Sequence, residues 1–490
     1  MKLTARKLPG VYRTMMRFIC FITGCLLSSV IAFADQRPNV VWIIADDLGP
    51  ELGCYGYPDV ATPHLDRLAA AGRRYTRAFS TAPVCSASRT AFQTGLYQTT
   101  VGGHHHDTHD KPVLSDSVPT VTGLMQQAGY FVSNGRGTLP LDRKLAKSHF
   151  NFVYDAKTFF DGTDWSQRAK GQPFFAQVQI KEPHRAFVKN DRPRPDAPIP
   201  PYYPEHPITR ADWGNYLASI EVLDQKVGAI LDRLESEGLA DNTLVIFFGD
   251  HGRPHVRCKQ WLYDGGLHLP LIVRWPGKVK AGSVTDKLTS LLDLMPTTLA
   301  AAGAEVPELP GLNLLDTDWQ GHQQLFAARD RCGDAVDRIR SMRTQDIKYI
   351  RNFHPETPYL QHSGYKKLSY PVETLMKVMH AQGRWNTLLM AETRPREELY
   401  DLKADPHELN NLANDPQLAD QLREMRDAVD QWIEQTGDKG EIDEARTVDL
   451  NALKQDKWKW YENSMKRRGL DPNVSDRDYL NWWKKELGVQ

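Results

Sequence analysis

Three short apolar runs in this sequence each end in residues that can bind a cation or move a proton. Asn39-Val-Val-Trp-Ile-Ile-Ala45 runs into Asp46-Asp47, Phe174 to Ile180 leads to Glu182-Pro183-His184, and Leu244 to Phe248 leads to Gly249-Asp250-His251-Gly252. A fourth segment, Pro83-Val84-Cys85-Ser86-Ala87-Ser88-Arg89, places a cysteine among small polar residues. Taken singly, Asp-Asp after a strand reads as a turn or helix cap, and a buried cysteine as a packing residue. Taken together they describe a site. Three carboxylates meeting in one crevice would raise one another's pKa unless a cation neutralised them, which predicts a divalent metal. Cys85 at a helix N-terminus would face amides that favour an anion, and Arg89, four residues on, lies on the same helical face.

Those side chains converge only if the apolar runs are neighbouring parallel strands, since ligands of open α/β sheets bind beyond the carboxyl ends of the strands. The runs are short and β-rich, as strands buried on both faces are. Between them lie helical patterns: Pro63 to Ala71, Cys85 through Thr94 with Gly95 as the stop, and Trp213 to Glu237 with Leu217, Ile220, Leu223, Val227, Ile230 and Leu234 on one face. The expected fold class is therefore α/β, with a large, mostly parallel sheet sandwiched by helices. Beyond about residue 320, Arg343 to Arg351 and Glu398 to Leu402 read as strands with few helices between them. This predicts a smaller C-terminal antiparallel sheet, with Gln417 to Gly437 as an amphipathic helix. The proline-rich stretch from Arg192 to Pro207 reads as an irregular surface loop. Four units follow: 1–34 as a signal peptide, 35–320 as the catalytic domain, 321–446 as the smaller subdomain and 447–490 as an aromatic and basic tail. The tail rings, including Trp458, Trp460 and Tyr461, read chiefly as packing residues, with sugar stacking as the other role.

The residues Cys85-Ser86-Ala87-Ser88-Arg89 match the C-[ST]-[PA]-x-R signature of type I, formylglycine-dependent sulfatases of the alkaline phosphatase superfamily. The resemblance extends through Arg37 to Asp47, Gly53-Cys-Tyr-Gly56, Thr62 to Asp66, Gly249 to Gly252, Lys259 to Gly277 and Glu398 to Leu412. It implies that Cys85 is converted to formylglycine (3-oxoalanine) by a formylglycine-generating maturation enzyme. It further implies a metal held by Asp46, Asp47, Asp250 and His251, usually calcium, with manganese or magnesium as alternatives. Lys259 and Arg89 would offset charge on the sulfuryl oxygens, and His184 would protonate the leaving oxygen. The implied substrate is a sulfate ester, here a sulfated carbohydrate. A phosphonate or phosphate ester hydrolase of the same superfamily and a catalytically dead sulfated-glycan-binding protein are the other readings.

Two positions depart from the resembled pattern. Many relatives place asparagine where this chain has His251, and imidazole suits softer ions than calcium. Relatives also carry a Gly-Lys-x-His segment after the equivalent of Gly129-Tyr130, whereas this chain reads Ser133-Asn134-Gly135-Arg136-Gly137-Thr138. Arg136 is the expected replacement for that lysine, although the two cations differ in geometry. His104-His105-His106-Asp107 reads as a loop at the substrate mouth, touching substrate or simply solvated.

Bulk properties set outer limits. The 490-residue chain has a formal net charge of +0, with 41% hydrophobic and 25% charged residues, and lacks the basic footprint of a nucleic-acid-binding protein. Lys2, Arg6, Lys7, Arg13 and Arg17 precede an apolar stretch from Phe18 to Ala34 that closes in Ala32-Phe33-Ala34. That is the form of a secretory signal, implying a periplasmic or secreted protein with no stable membrane span. After it, Cys54, Cys85, Cys258 and Cys332 remain, enough for one or two disulfides in an exported protein.

Overall fold

The computed structural model describes residues 37–106, 108, 110–140, 144–442 and 449–489; the signal-peptide reading, Cys20, Cys25 and Asp107 fall outside them. Among the described residues, twelve strands form two sheets. The large sheet takes β1 (Asn39–Ala45), β2 (Arg73–Phe79), β3 (Phe131–Gly135), β4 (Phe174–Ile180), β5 (Thr243–Gly249), β6 (His268–Arg274), β7 (Ser283–Thr285) and β8 (Thr289–Ser290). Its order is β3-β4-β1-β5-β6-β2-β7, with β8 beside β2. Only β6 runs against its neighbours, so the α/β class with a mostly parallel sheet holds.

β1 explains how one strand serves two layers. Its alternate residues enter opposite cores: Val41, Ile43 and Ala45 on one face, Val40, Trp42 and Ile44 on the other. On the first face packs the long helix Pro207–Ser236, through Leu217, Ile220, Leu223 and Val227. On the second, Trp42 meets Phe92, Phe175 and Phe248 edge-on, and its indole N–H donates to Thr298 Oγ1 at 2.9 Å. Burial of these side chains on both faces keeps β1 at the centre of the sheet, between β4 and β5.

The smaller sheet comprises β9 (Leu325–Arg329), β10 (Ile339–Arg343), β11 (Ile347–Asn352) and β12 (Glu397–Asp401) in the order β12-β11-β10-β9, all antiparallel. Met342, Tyr349 and Leu399 bury against Met425 and Val429 of the amphipathic helix Ala419–Thr436.

Several expectations need correction. The stretch from Arg343 to Arg351 holds most of β11 but begins with the last residue of β10 and a turn, because Thr344 N–H bonds back to the Ile347 carbonyl at 2.9 Å and turns the chain there. The few helices expected between these strands are two, Gly364–Ser369 and Pro371–Ala381, which separate β11 from β12. The stretch from Arg192 to Pro207 lacks regular structure but is not a surface loop throughout: Tyr202 and Tyr203 are buried in the core, and the Tyr203 hydroxyl donates to the Val256 carbonyl. Pro207 opens the helix rather than closing the loop. A proline at the first turn lacks only an amide the helix would leave unpaired, and the His206 ring accepts from Ile208 N–H. The four described cysteines are all free, so no disulfide joins them. The tail forms two helices, Leu450–Arg467 and Asp476–Leu487, with Tyr461, Met465 and Tyr479 buried against Leu368.

Candidate active site

Parallel register brings the three strand ends level. Ala45 at the end of β1 faces Ile180 of β4 on one side and Gly249 of β5 on the other. The chain therefore delivers Asp46-Asp47, the segment leading to His184, and Asp250-His251 to one edge. Asp47 N–H donates to Asp250 Oδ1 at 2.9 Å, tying two of these ends together, with Asp47 in the left-handed region at φ 64°. Such a conformation in a residue other than glycine is a local cost that a surrounding site sustains.

Cys85 is the first residue of the helix Cys85–Thr94, which Gly95 ends at φ 68°. Its Sγ lies 3.3 Å from His251 Nε2, 3.4 Å from Lys259 Nζ and 3.5 Å from Asp47 Oδ1. Lys259 reaches both oxygens of Asp47, at 2.8 and 2.9 Å, and His251 Nε2 is 2.9 Å from Asp47 Oδ1. Arg89 donates to Asp250 Oδ2 at 2.9 Å, to Asp46 Oδ1 at 3.3 Å and to Gln179 Oε1 at 2.7 Å. Its reach toward the carboxylates follows from its position one helical turn after Cys85.

Electrostatics follow from this packing. Burial alone would raise the Asp47 carboxyl, yet Lys259, His184 and His251 outweigh it and hold it well below the usual carboxylate range. Asp46 behaves likewise under Lys147 and Arg89. Burial pushes the Cys85 thiol up, despite Lys147 and Lys259, so the encoded side chain is a neutral thiol near pH 7. Burial would lower His251, but Asp250, Cys85 and Asp47 lift it to about 10. Burial depresses His184 below its ordinary 6.5, only partly offset by Asp47, which its Nε2 approaches to 3.8 Å.

Asp47, Cys85, Asp250 and His251 offer donor atoms that all lie within 4.8 Å of one another and are fully buried. This set fits a divalent cation. The His251 Nδ1 faces the Gly252 carbonyl at 2.9 Å, so a proton there orients the ring and leaves Nε2 to coordinate. Asp46 stands outside this group, its Oδ2 taken by Lys147 at 2.6 Å. The three carboxylates are already faced by Arg89, Lys147 and Lys259, so protein cations perform much of the neutralisation that the sequence argument assigned to metal alone.

The structure also redraws the missing lysine. Arg136 is exposed and opens onto an adjoining cavity of about 640 Å³, beside Asp46, Arg89 and Lys147. The cation next to the carboxylates is Lys147, and His149 two residues later lines the Cys85 cavity. Lys147-Ser148-His149 thus supplies the Lys-x-His spacing that the resemblance implies directly after Tyr130, displaced by an intervening stretch of chain. The Lys-x-His spacing itself, wherever it falls before β4, is the signal that marks this pair.

The cavity over Cys85 measures about 460 Å³ and is lined by His106, His149, His184, Lys259 and Tyr365 among others. The histidine run splits. His104 is buried, with burial lowering it to about 3, whereas His106 lines the cavity with its Nδ1 2.9 Å from Ser86 Oγ.

Fold and site together define an α/β enzyme acting on an anionic ester. The chain belongs to the sulfatase family, whose model matches residues 38–304, and it is a sulfatase. It is 29% identical to an ulvan-active sulfatase of Formosa agariphila, over 90% of this chain and 80% of that one. It is 28% identical to the N-sulphoglucosamine sulphohydrolase of Homo sapiens, over 84% and 93% respectively. Among solved structures it resembles BT4656 in complex with its substrate D-glucosamine-2-N,6-O-disulfate, with a TM-score of 0.61, 20% identity, and 83% of this chain and 100% of that one covered. No helix among the described residues is long and apolar enough to cross a membrane.

Proposed function

We propose that this sulfatase is an exported enzyme that releases sulfate from a sulfated carbohydrate. It does so with formylglycine generated from Cys85 by a maturation enzyme and a divalent cation held by Asp47, Asp250 and His251, with Asp46 beside them. The observation that carries the proposal is the meeting of Cys85 Sγ, Lys259 Nζ and His251 Nε2 around Asp47, each 3.5 Å or less from a neighbour, beneath one cavity.

When present, the modification supplies two hydroxyls on one carbon, one to attack sulfur and one to expel sulfate, while the cation supplies positive charge against the sulfuryl oxygens. A neutral, buried thiol offers neither, which supports the modification. The chain's own residues do the rest. Lys259 and Lys147 place two ammonium groups beside the nucleophile, and Arg89 fixes Asp250 and Asp46. Such preoriented charge is the largest single contribution in many enzymes. His184 turns Nδ1 toward the Arg185 carbonyl and Nε2 toward the site, where it can deliver a proton to the leaving oxygen. Calcium is the expected ion, with manganese or magnesium as alternatives, and of these the imidazole of His251 favours manganese. The carbohydrate assignment rests on relatives named for ulvan and N-sulphoglucosamine.

Peptide mass spectrometry across Cys85, on protein from its native host, tests the mechanism: formylglycine is expected, and an unmodified thiol in active enzyme overturns it. Aryl sulfate and aryl phosphonate esters turned over by the same preparation test the ester class. Faster phosphonate turnover overturns it.

A further inference from the structure

The Cys85 cavity has a wall that the family match does not contain. Three of its lining residues, Asp456, Lys457 and Trp460, come from the tail helix Leu450–Arg467, far beyond residue 304 where the match ends. They lie at i, i+1 and i+4, on one side of that helix. Its neighbouring side is anchored. Tyr461 is 1% exposed, a Cβ added at Gly364 would sit 3.2 Å from the Tyr461 Cβ, and the Tyr461 hydroxyl donates to the Pro472 carbonyl at 2.8 Å. The tail is therefore packed onto the body as a fixed wall, and the two roles weighed for its aromatic residues divide between neighbours: Tyr461 packs and Trp460 faces the cavity.

Trp460 remains 44% exposed and stacks on no other ring among the described residues. A large exposed ring on the wall of a binding cavity needs an explanation that a singly scattered surface residue does not. Also lining the cavity, Tyr365 has a buried hydroxyl with no hydrogen-bond partner among the described residues, and its ring lies 5.5 Å from Lys259 Nζ. A buried polar atom left unpaired is costly, and a ligand hydroxyl or sulfuryl oxygen would satisfy it. The cavity, at about 460 Å³, is in the range that holds a drug-sized ligand, roughly 300–1,000 Å³.

We propose that Trp460, Asp456, Lys457 and Tyr365 form a second sugar subsite, so that the substrate is a sulfated oligosaccharide rather than a sulfated monosaccharide. The inference rests on the carbohydrate sulfatase reading above. Trp460 stacks on the apolar face of the pyranose next to the one being desulfated, as indole rings do with flat apolar surfaces. Asp456 accepts hydrogen bonds from that sugar's hydroxyls. Lys457 meets a sulfate or carboxylate it carries. Tyr365 donates its hydroxyl at the junction, over the bond linking the two sugars. Chain-length preference thus comes from the C-terminal helix, while sulfate chemistry comes from the strand ends.

Calorimetric titration of metal-loaded Cys85→Ala protein with a glucosamine sulfate monosaccharide, and with size-defined ulvan and heparan oligosaccharides, measures the preference without turnover. The parent is expected to bind at least one oligosaccharide more tightly than the monosaccharide, and adding Trp460→Ala is expected to reduce that preference about tenfold, with Trp460→Phe restoring most of it. A preference absent from the parent, or equal in parent and Trp460→Ala, overturns the subsite. Sulfate release by the unmutated enzyme reports separately on the reading beneath it: release without an oligosaccharide preference leaves that reading standing and removes only the subsite.

Discussion

Lys259→Met isolates the part of the site with the most defined geometry. The ammonium bonds both oxygens of Asp47 at 2.8 and 2.9 Å and sits 3.4 Å from the Cys85 sulfur, while methionine keeps the stem and removes the charge. A preoriented donor of this kind contributes about 2.7–4 kcal/mol to a transition state, so kcat for an aryl sulfate should fall by roughly 10²–10³. Stability should fall too, because losing one partner of a buried pair costs about 3–5 kcal/mol when the other charge is left bare. Asp47 is not left bare, since His251 Nε2 remains 2.9 Å away, so the loss should lie below that range. Saturating divalent cation should then raise the thermal midpoint of the variant by offsetting the charge of Asp47 from its own site, without restoring kcat. Steady-state kinetics and calorimetry with and without metal measure the two effects on one preparation. A kcat within roughly threefold of the parent, with the stability loss intact, would refute a catalytic lysine and leave a purely structural one.

The pH profile and the metal preference offer two further checks. His184 must be protonated to act as an acid, and burial places its pKa below 6.5, so kcat/KM should decline as pH rises through that value, with its alkaline limb below 6.5. His184→Gln should flatten that limb and reduce kcat about 10²–10⁴-fold, and a limb unchanged in the variant would assign it to another group. His251→Asn exchanges the imidazole, which points Nε2 at Asp47 from 2.9 Å, for an amide oxygen, and should shift the ratio of calcium to manganese affinity toward calcium. Isothermal titration of both ions reads that ratio, and an unaltered ratio would remove His251 from the metal's donors.

Much of the fold was legible because its signals are short-range. The apolar run at Phe174–Ile180 marks β4 to the residue, and Gly95 stops the helix from Cys85 where its positive φ is needed. The strand-end acids and Cys85 were equally readable, since the acids follow directly on recognisable strands and Cys85 opens a recognisable helix. What failed did so for want of range or context. Lys147 lies outside the spacing from Tyr130 that the resemblance implies, and only folding brings residue 147 within 2.6 Å of residue 46. The strand read from Arg343 starts only at Ile347, because nothing in the residues themselves outweighs β propensity at the turn of Thr344.

By itself, then, the sequence determined the element types, the Cys85 signature, the acids that follow the strands and hence the chemistry on offer. The tertiary structure alone decided which groups share a cavity. It chose Lys147 over Arg136, buried His104 while turning His106 inward, kept every described cysteine free, and brought Trp460 of the tail into the cavity that holds Cys85. The reason is physical: periodicity and capping act within about ten residues, whereas a buried charge takes whichever opposite charge strand order and packing bring near, however far along the chain it lies.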